Sequence, residues 1–103
     1  YPTNFEMTNL KGIVYLKKAM NIDLQTDSVR LSKVLSNTDK IRMQQELKIQ
    51  KDNLYKVAHE WFEKAYNIDN TNAENIKMLY RVKRTINLPI SPEFEAKFQE
   101  VIK

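Results

Sequence analysis

A nine-residue phrase occurs twice in this chain and constrains its fold more than any other feature. Tyr15-Leu16-Lys17-Lys18-Ala19-Met20-Asn21-Ile22-Asp23 returns as Trp61-Phe62-Glu63-Lys64-Ala65-Tyr66-Asn67-Ile68-Asp69. Lys, Ala, Asn, Ile and Asp are identical, and each copy opens with an aromatic residue followed by a bulky apolar one. The copies lie about 46 residues apart, near the length of a helical-hairpin repeat. A repeated supersecondary unit of that size predicts a stacked helical array. Such arrays present surfaces to partners more often than they carry reactions.

The rest of the chain agrees with helices. Its 103 residues contain one Gly and three Pro, too few breakers for a many-stranded β fold. Apolar residues make up 42 %, enough for one modest core and too many for a disordered tail. The net charge of +4 is interspersed along the chain and reads first as a solvated surface, with RNA binding a lesser alternative. Without cysteine there are no disulfides, Cys-ligated zinc or thiol catalysis, and the compartment, bacterial periplasm or cytoplasm, is undecided. No apolar run approaches the roughly 20 residues needed to span a bilayer. Tyr1-Pro2 is not a natural initiation site, so the expectation is a processed or excised fragment.

Five or six helical segments are predicted. The first runs from about Phe5 to Ile22, with Leu10, Ile13/Val14, Leu16/Lys17 and Met20 as its buried stripe. Gly12 lies inside it, where a neighbouring helix could approach closely. The second begins at Thr26 or Asp27, both good N-caps, and ends in the polar stretch Ser36-Asn37-Thr38-Asp39. Asn37 or Thr38 caps a third segment that reaches Ile68 without Gly or Pro. Leu47, Leu54, Trp61 and Ile68 fall seven apart in it and predict one long helix; a break at Lys51-Asp52-Asn53 would make it two. A further helix runs from about Ala73 to Ile86, carrying Ile76, Leu79/Tyr80 and Val82/Lys83. Ser91-Pro92-Glu93 opens the last one, whose stripe of Phe94, Phe98, Val101 and Ile102 reads as a lid over the end of the array.

The second copy and its surroundings resemble the tetratricopeptide repeat. Ala58, Phe62, Ala65 and Asp69 match the small, aromatic, alanine and acidic positions of that family's second helix, and Tyr55 its tyrosine. Asn72-Ala73-Glu74 resembles the opening of the next first helix, with Leu79 at its leucine position. About 35 residues, from Tyr55 to near Leu88, carry the match. The first copy matches less, through Gly12, Leu16, Ala19 and Asp23. Leu24 and Asn70 stand where the family usually has proline, and the segment between copies is about 12 residues longer than the usual period. The short polar turn, long lysine-rich helix and aromatic–bulky–Glu–Lys–Ala–Tyr ending are similar to tetratricopeptide proteins exported by Bacteroidetes-type bacteria. The resemblance implies an all-α fold of antiparallel hairpins, in a single domain with repeat-like units at about 5–36 and 38–88 and a capping helix at 91–102.

No phosphate-binding loop, nucleophile elbow or zincin motif occurs. His59 is the only histidine; with Glu63 four residues on it makes at most a two-ligand pair, and it reads as a partly exposed helical residue. The serines lack a nearby His to act as base, so no enzyme, metal or cofactor is expected. The candidate partner-binding cluster is Lys77, Tyr80, Arg81 and Arg84. By the resemblance, Lys77 and Arg81 line the concave groove, where family members use such a pair on a peptide carboxylate. Arg30, Leu31 and Ser32 stand roughly where the rest of that clamp would be needed. Tyr1, Phe5, Tyr15, Tyr55, Trp61, Phe62, Tyr66 and Tyr80 read as core; Tyr66 and Tyr80 exposed beside Lys77 would favour a peptide groove. The function expected is non-catalytic binding of a partner's peptide or helix. Self-association as a dimer, through uncovered repeat ends or exchange of the N-terminal helix, is the alternative.

Overall fold

A computed structural model describes residues 4–103; Tyr1, counted above among the core aromatics, lies outside them. The described chain is all-α. Its four helices are α1 (Asn4–Arg30), α2 (Asn37–Ile68), α3 (Ala73–Thr85) and α4 (Pro92–Val101), with no strand among the described residues.

The expected separate helix from Thr26 to Leu35 does not form. α1 runs unbroken through Asp23 to Arg30. Thr26 is no cap: its hydroxyl donates to the Ile22 carbonyl at 2.9 Å, a bond made inside a continuing helix. Asp27 faces solvent and pairs with Arg30 at 3.3 Å. With no Gly or Pro after Gly12, nothing in the backbone forces a turn before the link at 31–36. The break considered at Lys51-Asp52-Asn53 is also absent, and α2 is continuous over 32 residues. Its N-cap is Ser36, rather than Asn37 or Thr38. The Ser36 hydroxyl accepts from the Asp39 amide at 3.1 Å.

α1 and α2 form an antiparallel hairpin. Gly12 meets Phe62, and Asp23 pairs with Lys51 at 3.2 Å, so an advance along α1 matches an equal retreat along α2. That register sets Gly12 against Phe62, Leu16 against Ala58, and Ala19 against Tyr55. Each layer joins a small residue to a large one, which is how close-packed helices fill the space between them. All but Gly12 belong to one buried cluster, with Ile76, Leu79, Val82 and Phe94.

Two predicted stripes shift. On α1 the buried set is Asn9, Gly12, Leu16, Ala19, Ile22 and Val29, while Leu10, Val14 and Met20 are exposed. The face with small residues wins because it permits the close approach to α2. On α2 the buried set is Tyr55, Ala58, Phe62 and Ala65; Leu47, Leu54 and Trp61 are half-buried and Ile68 is exposed. None of α2 before Tyr55 is buried, because only its C-terminal half has a third helix to pack against.

α3 starts where expected, with the Asn72 side chain accepting from the Asn75 amide at 2.9 Å. It ends in a Schellman turn: Asn87 takes φ 58°, Leu88 N donates to Lys83 O at 2.8 Å, and Asn87 N to Arg84 O at 3.3 Å. Asn75 is fully buried; its amide donates to Asn9 Oδ1 at 2.8 Å and to the Phe62 carbonyl at 3.1 Å, tying α3 to both hairpin arms. Pro89 and the Ser91 cap then launch α4, which buries Phe94 and lies over α3.

Candidate interaction surfaces

The basic cluster of α3 divides. Lys77, Arg81 and Arg84 are exposed. Lys77 and Arg81, one helical turn apart, form no ion pair with any described carboxylate. Tyr80 is covered instead. Its ring stacks on Phe98 with centroids 3.6 Å apart and planes within 1°, and it also faces Phe94. Arg84 donates to the Tyr80 hydroxyl at 3.4 Å. Tyr66 packs edge-on against Phe94 at 5.4 Å. Neither tyrosine is therefore an open platform beside Lys77; α4 uses both as its bed. The remaining clamp positions also lie apart. Asn75 meets Asn9 near the start of α1, whereas Arg30 is 21 residues further on, roughly 30 Å along the axis at 1.5 Å per residue.

His59 is partly exposed, as expected. Its side chain is 13 % exposed, and Lys83, 14 % exposed, places Nζ 3.2 Å from His59 Nε2. Glu63 completes the group, 3.5 Å from Lys83 and 3.8 Å from His59. An ammonium can only donate, so Nε2 is the acceptor and the imidazole is neutral. Burial, then the Lys83 charge, push the His59 pKa below its ordinary value. The lysine sits where a metal paired with His59 and Glu63 would have to be, and no group of three or more ligating side chains occurs among the described residues. The chemistry of this triad is a polar tie between α2 and α3.

A third surface was not legible as one. Trp61, expected in the core, is half-buried on the face of α2 turned away from α3. His59 and Glu63, each two residues away and about 200° around the helix, face α3 instead. Lys11 and Lys64 place their ammonium groups 4.5 and 4.6 Å from the centre of the Trp61 ring, and Lys18 lies 5.0 Å from that of Tyr15. Leu10, Lys11, Val14, Tyr15, Lys18 and Trp61 line an open cleft of about 430 Å³, and Lys64 stands beside it at the Trp61 ring. The signal in the sequence was the apolar set Met7, Leu10 and Val14 on α1, of which Leu10 and Val14 were expected on the buried face.

No family model, curated protein or solved structure matches this chain. No described helix is long and apolar enough to cross a membrane.

Proposed function

We propose that this protein is a non-catalytic interaction module that receives a peptide or helix of a partner protein. The observation that carries the reading is unspent surface. A chain of this length packed compactly would have a radius of gyration of about 13 Å and expose about 6,000 Å². This one has 16.4 Å and 7243 Å². Large apolar side chains lie on that surface, among them Met7, Leu10, Leu24, Leu31, Val34, Ile41 and Ile49. Folding alone leaves them in water, and association would cover them.

The surface we assign to the partner is the exposed outer face of α3, with Lys77 and Arg81 as its cations and Arg84 at its end. What supports the tetratricopeptide-like reading is the second copy with the residues just before it, where Tyr55, Ala58, Phe62 and Ala65 are the buried residues of α2. Screening an array of acidic and C-terminal peptides tests that surface. Binders should weaken about tenfold or more in Lys77→Glu/Arg81→Glu, since each lost charge-assisted bond is worth about 1.5–3 kcal/mol. Binding indifferent to that double substitution would reject this face.

Self-association is the second reading, favoured by the apolar far end of the hairpin, where Val34 is 93 % exposed. Sedimentation velocity over a concentration series separates the two: a persistent monomer removes self-association, and a concentration-dependent dimer supports it.

A further inference from the structure

The geometry points to the Trp61 cleft as a second docking site, distinct from the outer face of α3, that takes an amphipathic helix of a partner with acidic flanks. Two properties coincide there. Leu10 and Val14 are 58 % and 43 % exposed on one side of α1, and the rings of Tyr15 and Trp61 form the floor between the helices. Around them stand Lys11, Lys18 and Lys64, none of which forms an ion pair with a described carboxylate. An apolar strip between two helices accepts side chains spaced three and four apart. A lysine rim selects for carboxylates beside them and speeds the encounter.

Charge decides among the possible occupants. In a two-fold pairing this patch would meet itself. Lysine would face lysine, so a second copy fits poorly. A bilayer also fits poorly: two ammonium groups stand within 4.6 Å of the Trp61 ring centre, and interfacial binding needs a broad protruding apolar face. A helix carrying leucine-like anchors and flanking Glu or Asp satisfies both the strip and the rim.

Trp61 is the only tryptophan, so its emission reports on this site alone. The experiment titrates the full chain with stapled helical peptides that share one leucine stripe and differ in their flanks: Glu, Gln or Lys. The expected result is a Trp61 emission shift with affinity in the order Glu, Gln, Lys, at least about tenfold between the ends, and weaker binding at high salt. Lys11→Glu/Lys64→Glu should reverse that order, whereas Lys77→Glu/Arg81→Glu should leave it unchanged. The variants alter exposed side chains, and circular dichroism would verify their folds. No emission shift with any peptide, or equal affinity across the flanks, overturns the proposal. A shift with phosphatidylserine vesicles but not with the Glu-flanked peptide overturns it in favour of a membrane. A shift that follows protein concentration alone overturns it in favour of self-association.

Discussion

At the scale of single residues, Gly12 shows how one missing side chain sets a helix pair. A Cβ built there would lie 2.6 and 2.7 Å from the Phe62 ring, closer than carbon atoms can stand. Phe62 is fully buried and cannot swing aside. Gly12→Ala would gain about 1 kcal/mol of helix propensity but incur about 1–3 kcal/mol of overpacking. The expected outcome is a lower melting temperature, with Phe62→Leu in the same chain restoring part of the loss. An unchanged or raised melting temperature would show that the helices separate freely at this layer. His59 makes a different prediction. Its pKa is lowered in the folded chain from an ordinary 6.5, so the unfolded chain binds the proton more readily. Its contribution is therefore full above about pH 6.5, falls as the pH drops below that, and levels off once the folded imidazole is also protonated. Urea midpoints should decline across that window in the wild-type chain and decline less in His59→Gln. Parallel pH profiles for the two chains would remove His59 as the cause.

At the scale of elements, the hairpin is unevenly supported. α2 spans about 48 Å and α3 only about 20 Å at 1.5 Å per residue, so half of α2 has α1 as its sole described neighbour. Every buried residue of α2 lies at Tyr55 or beyond. Local opening follows buried contacts, so amides at 38–50 should exchange faster than those at 55–65 by at least about tenfold. Hydrogen exchange resolved along α2 measures this directly. Uniform protection would mean that something else covers the far half, as self-association would. The repeated phrase also takes two different roles at this scale. Ala19 and Ala65 are both fully buried, but Asp23 continues a helix and reaches Lys51, whereas Asp69 ends one and accepts from the Thr71 amide and hydroxyl at 2.9 and 2.6 Å. A turn follows Asp69 because Asn70-Thr71-Asn72 supplies turn and cap chemistry. Leu24-Gln25 after Asp23 supplies neither.

At the scale of the whole molecule, shape is the property to measure. Extents of 49 × 34 × 20 Å describe a rod-like hairpin with α3 and α4 gathered against its lower half. Small-angle scattering of a monomer should give a radius of gyration close to 16.4 Å plus a hydration shell, well above the ~13 Å of a compact chain. A value near the compact one would mean that the far end of the hairpin folds back. α4 gives the lower half its finished surface: Phe94 and Phe98 cover Tyr66 and Tyr80, so the aromatic platform that would have made a peptide groove is already occupied.

The sequence by itself determined the helical class, the capping of α3 by Asn72, the Ser91-Pro92 opening of α4, and the buried stripe of α3. Those features follow from caps, breakers and three-and-four spacing, all of which act over a few residues. Of the stripe expected on α4 only Phe94 is buried, Phe98 and Val101 are half-buried, and Ile102, at the chain's end, is exposed. Tertiary structure decided what local signals leave open. Thr26-Asp27 has cap chemistry, yet no breaker precedes it, and packing along α2 carries α1 through to Arg30. Leu10, Val14 and Trp61 are as apolar as core residues. They stay near the surface because Gly12, Ala19 and Ala58 let the neighbouring faces approach, and a helix can turn only one face inward. The same choice put Lys11, Lys18 and Lys64 around an open cleft, and no spacing in the sequence fixes which of two apolar stripes a partner helix will cover.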